Sequence, residues 1–491
     1  MNTRFGNRSS NKLQVGYTAL RDFRASLAGA DFPLVDIMNG QGQTYTSFGY
    51  EPFTYNNLLN TDIYQFSDIF TWYKGSHEIT FGTQDYYKKF KNGFAPNYEG
   101  VYRFNTLADF YNSANNGVAN SVQYQLQYSA EPDGSFPYAY VGVYELGGFA
   151  QDKWRIKNNF TLTYGLRIDA PLFKNQFQSN PYVPALTFRD GKHYNIGEKP
   201  GTNLLISPRA GFNWDVTKDH KTQVRGGIGL FAGPPPFVWI SNQASNNGVQ
   251  FGSFTSTIPY AFSPDINAYR PEAGKENTSY NLVFTDHDFK YPQVLKASLA
   301  VDRKLPGDII LTLEGTYSKD INAVYFQNVN LPATGIAFAG SDRRIRYDST
   351  RIYGSKEPTV TNPNITNAIL MSNTNKGYAY TITLQVQKNF RNIYFSAAYT
   401  FSRAKSVNDG GSIAASMWRD RPVTNDPNAE ELGFGNYYQP HRVIAAAFYR
   451  KEYAKHFATS VGLIFEATSA VLAPILIMGM LITMAQAVIM I

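Results

Sequence analysis

Residues 148–169 read GFAQDKWRIKNNFTLTYGLRID, and the second half of this stretch alternates strictly between apolar and polar positions. Successive side chains in a strand point to opposite sides, so the pattern predicts a strand with one apolar and one polar face. The residues before it predict a partner strand, joined by a short turn at 157–159 in which asparagine tolerates a positive φ. The apolar positions of the second strand are Phe160, Leu162, Tyr164, Leu166 and Ile168.

The same alternation recurs along the chain and predicts about thirteen strands arranged as hairpins. Most are long enough to supply the roughly 9–11 residues with which a tilted strand crosses a bilayer. The predicted strands occupy residues 12–18, 62–73, 77–90, the hairpin 143–168, 205–216, 222–231, 293–304, 309–318, 378–388, 393–401, 441–451 and 455–466.

Long polar stretches rich in Asn, Ser, Gly and Pro separate the hairpins and show no helical period. Short turns therefore alternate with long loops, a rhythm typical of outer-membrane barrels with tight periplasmic turns and large outer loops. We expect an all-β, antiparallel, up-and-down transmembrane β-barrel. Bacterial barrels have even strand numbers, so an odd count predicts a partial barrel. The long stretches are 19–61, 91–142, 171–204, 232–292, 319–377 and 403–440.

The amino-acid composition favours a strand-rich protein and excludes several classes of function. Charged residues make up only 17% of the chain and aromatic residues 15%, including 35 Tyr and 35 Phe, which favours strands and interfacial aromatic belts. The formal charge of +7 is scattered rather than clustered, so nucleic acid is not an expected partner. With no cysteine in the chain, disulfides, thiolate metal sites and cysteine nucleophiles are excluded.

The two ends of the chain differ from the part between them. Residues 1–10 are polar and basic, so no secretory signal is expected there. Residues 467–491 carry no charge and lose the alternation. We therefore divide the chain into 1–466, part of a barrel, and 467–491, an apolar tail. The tail is interpreted as foreign to the barrel through a frameshift or truncation, with a membrane helix as the alternative.

Residues 149–167 resemble a hairpin of TonB-dependent outer-membrane receptors, in which an aromatic–x–Gln–Asp–x–Trp strand precedes Asn–Leu–Thr–Leu–x–x–Gly–Leu–Arg. Residues 207–212 and 225–229 look like the next hairpin of the same family, and the Oar-like subgroup is the most similar. The resemblance implies a location in the cell outer membrane and uptake of a nutrient. It also implies outer-membrane lipid, the TonB complex and a small-molecule or oligomeric nutrient as partners.

Complete members of that family carry a signal peptide, a TonB box and a plug domain ahead of a 22-stranded barrel. This sequence shows no segment that resembles a signal peptide, a TonB box or a plug domain. It also shows no last strand that ends in an aromatic residue. Since the TonB complex acts through the plug, we expect this chain on its own to be incomplete and inactive in uptake. Two functions stay open beside the receptor: a passive pore or adhesin-like outer-membrane barrel, and a soluble glycan-binding β protein.

No catalytic, cofactor-binding or metal site is predicted, and an enzyme is not expected. The run Gly226–Gly229 lies within a predicted strand without the context of a phosphate-binding loop. Asp286, His287 and Asp288 lack further ligands of fitting spacing, and no Gly-x-Ser-x-Gly motif is present. Weaker candidates for ligand contact are the acidic loop 426–431 beside Tyr437 and Tyr438, Trp239 with the prolines 234–236, and the aromatic residues Trp72, Trp154, Tyr164, Trp214, Tyr317 and Tyr399.

Overall fold

The computed structural model describes residues 1–26, 31–174, 176–333, 335–337, 345–346, 351–421, 423, 426–435, 438–453, 456–469, 475–477 and 480–482. Thirteen long strands form a wall in which each strand pairs antiparallel with the next. They are β1 Ser9–Phe23, β2 Leu58–Lys74, β3 His77–Gly93, β4 Ala139–Lys157, β5 Phe160–Phe173, β6 Leu205–Asp215, β7 Thr222–Ala232, β8 Gln293–Leu305, β9 Ile309–Asn328, β10 Tyr378–Phe390, β11 Ile393–Ser406, β12 His441–Tyr453 and β13 Phe457–Thr468.

The wall belongs to one sheet of 17 strands, whose four other members lie at its margins. Asn2–Phe5 pairs with β1, Gly433–Phe434 with β11, and Asn364–Thr374 with the end of β9 and, in parallel, with Ser279–Thr285. No pairing within the described ranges joins β13 to β1 or to Asn2–Phe5, so the wall is an open one. The up-and-down antiparallel order and the thirteen predicted strands are confirmed.

The two faces of the wall differ as the alternation predicts. Tyr164, Leu166 and Ile168 of β5 are between 42% and 44% exposed, and large apolar side chains of the other wall strands share this outer face. Thr163 and Arg167 point to the opposite, inner face. A face this apolar and this exposed suits a surrounding of lipid rather than water. The short turn at 157–159 forms as expected, although neither asparagine adopts a positive φ.

Two aromatic belts mark the margins of the apolar band on the outer face. Near the short turns lies a tryptophan belt of Trp72, Trp154 and Trp214, in which Trp154 stacks on His77 at 5.2 Å between ring centroids. Towards the long loops lies a tyrosine belt on four adjacent strands. Its consecutive ring centroids are 5.0, 6.0 and 4.4 Å apart. Aromatic girdles of this kind lie at the two membrane interfaces of spanning barrels. The tyrosine belt consists of Tyr17, Tyr64, Tyr87 and Tyr144.

The long loops fold into a cap, in contrast to the structureless stretches expected from sequence. A five-stranded sheet is built from Phe251–Ser256, Gln123–Ser129, Val101–Phe104, Leu34–Met38 and Thr44–Phe48, in that order. Its buried face is rich in aromatic side chains, with Tyr102, Phe104 and Tyr124 at most 2% exposed. The cap also contains the helices α1 Leu107–Asn116, α2 Phe237–Ser245 and α3 Ala414–Arg419, and the 3₁₀ turns Val183–Ala185 and Arg189–Gly191.

The apolar tail at 467–491 lies mostly outside the described residues. After β13, the described residues include the short antiparallel strands Ile475–Ile477 and Met480–Ile482. A further short pair, Ile336–Ala337 with Ile345–Arg346, lies between β9 and β10. Across the part of the chain that the structure describes, no helix has the length and apolar character needed to cross a membrane.

One carboxyl group of the cap makes its stability depend on pH. Glu99 is 4% exposed, and burial, together with the neighbouring carboxylate of Asp31, raises its pKa from 4.5 to about 8. The neutral form therefore stabilises the folded cap fully below about pH 4.5, and this contribution is lost as the pH rises to about 8. We expect the amides of Val101–Phe104 to be better protected from hydrogen exchange at pH 5 than at pH 8, after correction for intrinsic rates. The variant E99Q should remove the difference; an unchanged pH dependence in E99Q would contradict the assignment.

Candidate functional site

The site lies on the inner face of the wall, directly beneath the cap. Helix α2 enters this space and almost all of its residues are buried. Surrounding loops accept hydrogen bonds from α2: Trp239 Nε1 donates to the carbonyl of Ser412 at 2.7 Å, and Gln243 Nε2 donates to the carbonyl of Glu198 at 2.6 Å. Because every side of the helix is covered, α2 holds the cap loops to the upper part of the wall.

A cavity of about 210 Å³ lies at the junction of the wall and the cap. Its lining combines carboxylate, guanidinium, amide and phenol groups with the backbone of the loop that leads into α2. Such a mixture of apolar walls and few convergent polar groups is typical of a small-molecule pocket. The lining residues are Gln84, Tyr86, Glu145, Arg167, Asp169, Ala170, Pro171, Leu205, Ala232, Gly233, Pro234 and Tyr291.

A buried ion pair joins two wall strands at this cavity. Lys88 Nζ lies 2.6 Å from Glu145 Oε2, and their side chains are only 13% and 16% exposed. The Tyr291 hydroxyl donates a hydrogen bond of 3.3 Å to the other oxygen of Glu145. Lys88 Nζ also lies 5.5 Å from the ring centroid of Phe237, the first residue of α2. The pair therefore connects β3, β4 and the buried helix.

A second polar pair lies lower on the same wall. The Arg167 guanidinium binds Asp169 two residues along β5, with Nε donating at 2.9 Å and Nη2 lying 2.6 Å from the carboxylate. The neighbouring residue on β4 is Gly147, where a Cβ atom would lie 2.3 Å from Arg167 Nη2 and 2.7 Å from Asp169 Oδ1. The absence of a side chain at Gly147 thus lets the ion pair lie across the backbone of β4.

The variant G147A is expected to lower the free energy of unfolding by about 0.5–1 kcal/mol, because the added methyl group displaces the ends of the partly exposed Arg167–Asp169 pair. Urea titration of the detergent-folded chain measures this change. The variant G148A is the matched control, since a Cβ atom at Gly148 would meet nothing within 4 Å. Equal stabilities of the two variants would show that the close approach carries no cost.

A larger cavity of about 640 Å³ opens further along the inner face. Its floor is a row of paired residues with small side chains that runs across five strands: Thr163, Gly211, Gly227, Ser298 and Thr316. The row above it places Arg209 and Lys296 on either side of Gly229. Neither cation forms an ion pair within the described part of the chain, and both are exposed to the cavity.

The cation below the small-residue row is neutralised instead. Arg225 Nε lies 3.1 Å from Asp302, and its Nη2 lies 2.8 Å from Glu314. Thr312 donates a hydrogen bond of 2.6 Å to the other oxygen of Asp302. The uncompensated positive charge of the larger cavity is therefore concentrated at Arg209 and Lys296.

The structure shows where the candidate residues named from sequence lie. Gly226–Gly229 lies within β7 and forms wall, as predicted. His287 Nδ1 lies 3.4 Å from Asp288 in an exposed loop. No group of three or more His, Asp or Glu side chains is placed to hold a metal ion in the ranges that the structure covers. Trp154, Tyr164, Trp214, Tyr317 and Tyr399 lie on the outer face with Trp72, and Tyr317 also borders the larger cavity.

Two further candidates take part in the cap. Asp426 of the acidic loop binds the guanidinium of Arg189, which fastens that loop to a 3₁₀ turn. Tyr437 lies outside the described residues, whereas Tyr438 is 9% exposed and stacks on Phe434. The prolines 234–236 lead directly into α2, which carries Trp239. Sequence reasoning missed α2 and the pairing of Lys88 with Glu145.

Comparison with known proteins identifies the family to which this architecture belongs. A family model described as Outer membrane beta barrel domain matches residues 2–464.

The chain belongs to this outer-membrane β-barrel family.

Among solved structures, the barrel protein is similar to the outer membrane transporter YddB from Escherichia coli, with 12% identity and a TM-score of 0.51, covering 96% of this chain and 50% of that one. A variant of the ferric enterobactin receptor PfeA from Pseudomonas aeruginosa matches with 9% identity and a TM-score of 0.47, over 95% and 48% of the two chains. The barrel protein thus spans about half the length of these structures. No curated protein matches it in sequence.

The family match and the similarity to YddB agree with the fold described above. The predicted resemblance to a TonB-dependent receptor barrel is confirmed at the level of the fold, and the family supports a location in the outer membrane. Short turns then face the periplasm, and the long loops and the cap face the exterior. The two cavities accordingly lie on the lumenal face of the wall, beneath an external cap.

Proposed function

We propose that the barrel protein is the barrel portion of a TonB-dependent receptor that takes up a small-molecule or oligomeric nutrient across the outer membrane. The observation that carries the proposal is the pair of lumenal cavities beneath a cap folded from the long outer loops. Binding groups in such proteins are carried by loops on a rigid scaffold, and here α2 fixes the loops to the wall. The buried α2 at the mouth disfavours the alternative of an open passive pore.

The proposed energy source is the TonB complex, acting through a plug domain, as the resemblance to that family implies. We propose accordingly that residues 1–491, taken without a plug, bind lipid and adopt the barrel wall but do not pump. The polar lumenal face of the wall alone gives no means of using energy from the inner membrane.

A depletion experiment separates the candidate functions. The source bacterium, a deletion of this gene and a deletion of tonB are grown in one defined medium, and the solutes that remain are compared by mass spectrometry. A receptor predicts that the same solute is consumed by the parent and left by both deletion strains. A passive pore predicts consumption that needs this gene but not tonB. An adhesin-like protein predicts no difference in solutes, which would overturn the proposal.

We infer further that the solute carries negative charge, because Arg209 and Lys296 face the larger cavity without carboxylate partners. The double variant R209Q/K296Q in the chromosomal gene is expected to slow depletion of that solute roughly tenfold at limiting concentration, as loss of two charge-assisted contacts implies. The control K388Q/R391Q changes the same charge beside a short turn. A neutral or cationic solute, or equal rates in both variants, would contradict the charge assignment.

A further inference from the structure

The outer face carries a cluster of cations just beyond the tyrosine belt. Along β3, Tyr87, Lys89 and Lys91 point to the same outer side, since they are two residues apart. Lys174 follows β5 and lies above the same ring, with its Nζ 5.8 Å from the centroid of Tyr87. Because β3 runs from a short turn towards the long loops, these lysines lie on the exterior side of the belt.

These lysines are not neutralised by the protein. Asp62, which lies opposite Lys89 on β2, is already bound by Arg21 Nη2 at 2.5 Å and by the Tyr17 hydroxyl at 2.7 Å. Lys89, Lys91 and Lys174 form no ion pair within the described part of the chain, and each lies over an aromatic ring. Lys89 Nζ is 5.4 Å from the Tyr87 centroid, and Lys91 Nζ is 3.9 Å from the Tyr138 centroid.

We propose that the tyrosine belt and these three lysines bind the phosphate groups of a lipid in the outer leaflet. The charge complementarity is direct: three uncompensated ammonium groups lie side by side at the height where headgroups meet the apolar band. Cation–π contacts keep the ammonium groups at that height and leave donor hydrogens free. The tyrosine rings cover the upper part of the acyl chains, as aromatic girdle residues do.

A solute in transit does not explain the cluster. The lysines lie on the face opposite to the two cavities, so a molecule bound in the lumen cannot reach them. Their neighbours on the same face are the exposed apolar side chains of the band, among them Phe66 and Phe81. Binding of a lipid phosphate requires only that the outer face of the wall contacts the outer membrane, and it goes beyond the proposed uptake function. It stands or falls separately from that function.

The test uses the full chain folded in detergent and transferred to phosphatidylcholine nanodiscs that contain either diphosphoryl lipid A or the same lipid without phosphate. Native mass spectrometry counts the lipid retained per chain over a series of salt concentrations. We expect the phosphorylated lipid to be retained in preference, and the preference to weaken with salt. In K89Q/K91Q/K174Q the preference should fall roughly fivefold per lysine, on the order of a hundredfold in total.

The variant K157Q/K192Q/K356Q removes three exposed lysines elsewhere and should keep the preference. Equal retention of the two lipids by the unmodified chain, or an undiminished preference in K89Q/K91Q/K174Q, would overturn the proposal. Heat-dependent migration in gels checks that each variant is folded. If the triple variant does not fold, K174Q alone decides, because Lys174 lies beyond the end of β5 and should still cost roughly fivefold.

Discussion

The variant K88M is expected to lower the free energy of unfolding by about 3 kcal/mol, because it leaves the Glu145 carboxylate buried without its cation. The pair is nearly withdrawn from solvent, with an Nζ–Oε2 distance of 2.6 Å. The Tyr291 hydroxyl, which donates to Glu145 at 3.3 Å, cannot replace a full positive charge. Urea titration in detergent, monitored by tryptophan fluorescence, measures this decrease in the free energy of unfolding.

The double variant K88M/E145L distinguishes the unpaired charge from lost packing. Removing both partners of a buried pair is often close to neutral, so we expect the double variant to recover most of the stability that K88M loses. Both variants lose the contact of Lys88 with Phe237, so greater accessibility of α2 to protease in K88M than in the double variant would report on the unpaired Glu145 carboxylate. A K88M chain as stable as the unmodified one would show that Glu145 is solvated or protonated without Lys88.

The wall could be predicted from sequence because its signal is local. In a strand with lipid on one side and polar groups on the other, the type of each residue depends on the face to which its side chain points. Apolar and polar residues therefore alternate over the whole strand. Observed strands extend beyond the predicted ones chiefly at the long-loop end, as β9 does in running to Asn328. There the wall leaves the apolar band and carries buried residues on both faces, so the alternation ends before the strand does.

The cap could not be predicted in the same way. Only helix α1 has local signals that a sequence carries: Thr106 is an N-cap that accepts from the Asp109 amide, and Gly117, at φ 66°, is the C-cap. Helix α2 has no such cap and shows no apolar stripe, because it is buried on all sides. The parallel pairing of Ser279–Thr285 with Asn364–Thr374 joins distant segments, which no local pattern reveals.

The candidate site was accessible from sequence only in part. Alternation alone places Arg167 and Arg209 on the polar face, so the presence of lumenal cations follows from their positions. The sequence positions do not show which of these cations are neutralised, because the partners are distant in sequence. Arg225, for example, contacts Asp302 and Glu314, which are 77 and 89 residues away. Only the strand register brings these side chains together and leaves Arg209 and Lys296 without carboxylate partners.

The variant L166K is expected to destabilise the inserted barrel by about 2–4 kcal/mol, the cost of a cation near the middle of the lipid-facing band. Leu166 is 44% exposed on the outer face. On β5 it lies between Leu162, which pairs with Trp154 of the tryptophan belt, and Leu172, which pairs with Tyr144 of the tyrosine belt. A lysine at this depth is far from both interfaces, so its ammonium group reaches water only at a cost. Reversible urea unfolding in lipid vesicles measures the difference.

Two controls isolate the cause of that loss. The variant S298K places the same side chain on the inner face, where Ser298 lines the larger cavity, and should change stability by less than about 0.5 kcal/mol. The variant L166A removes apolar area without adding charge and should cost less than L166K. The order L166K, then L166A, then S298K follows from an outer face bathed in lipid and an inner face bathed in water. If S298K were the most costly of the three, the inner side would have to be an apolar core, and the assignment of the two faces would be reversed.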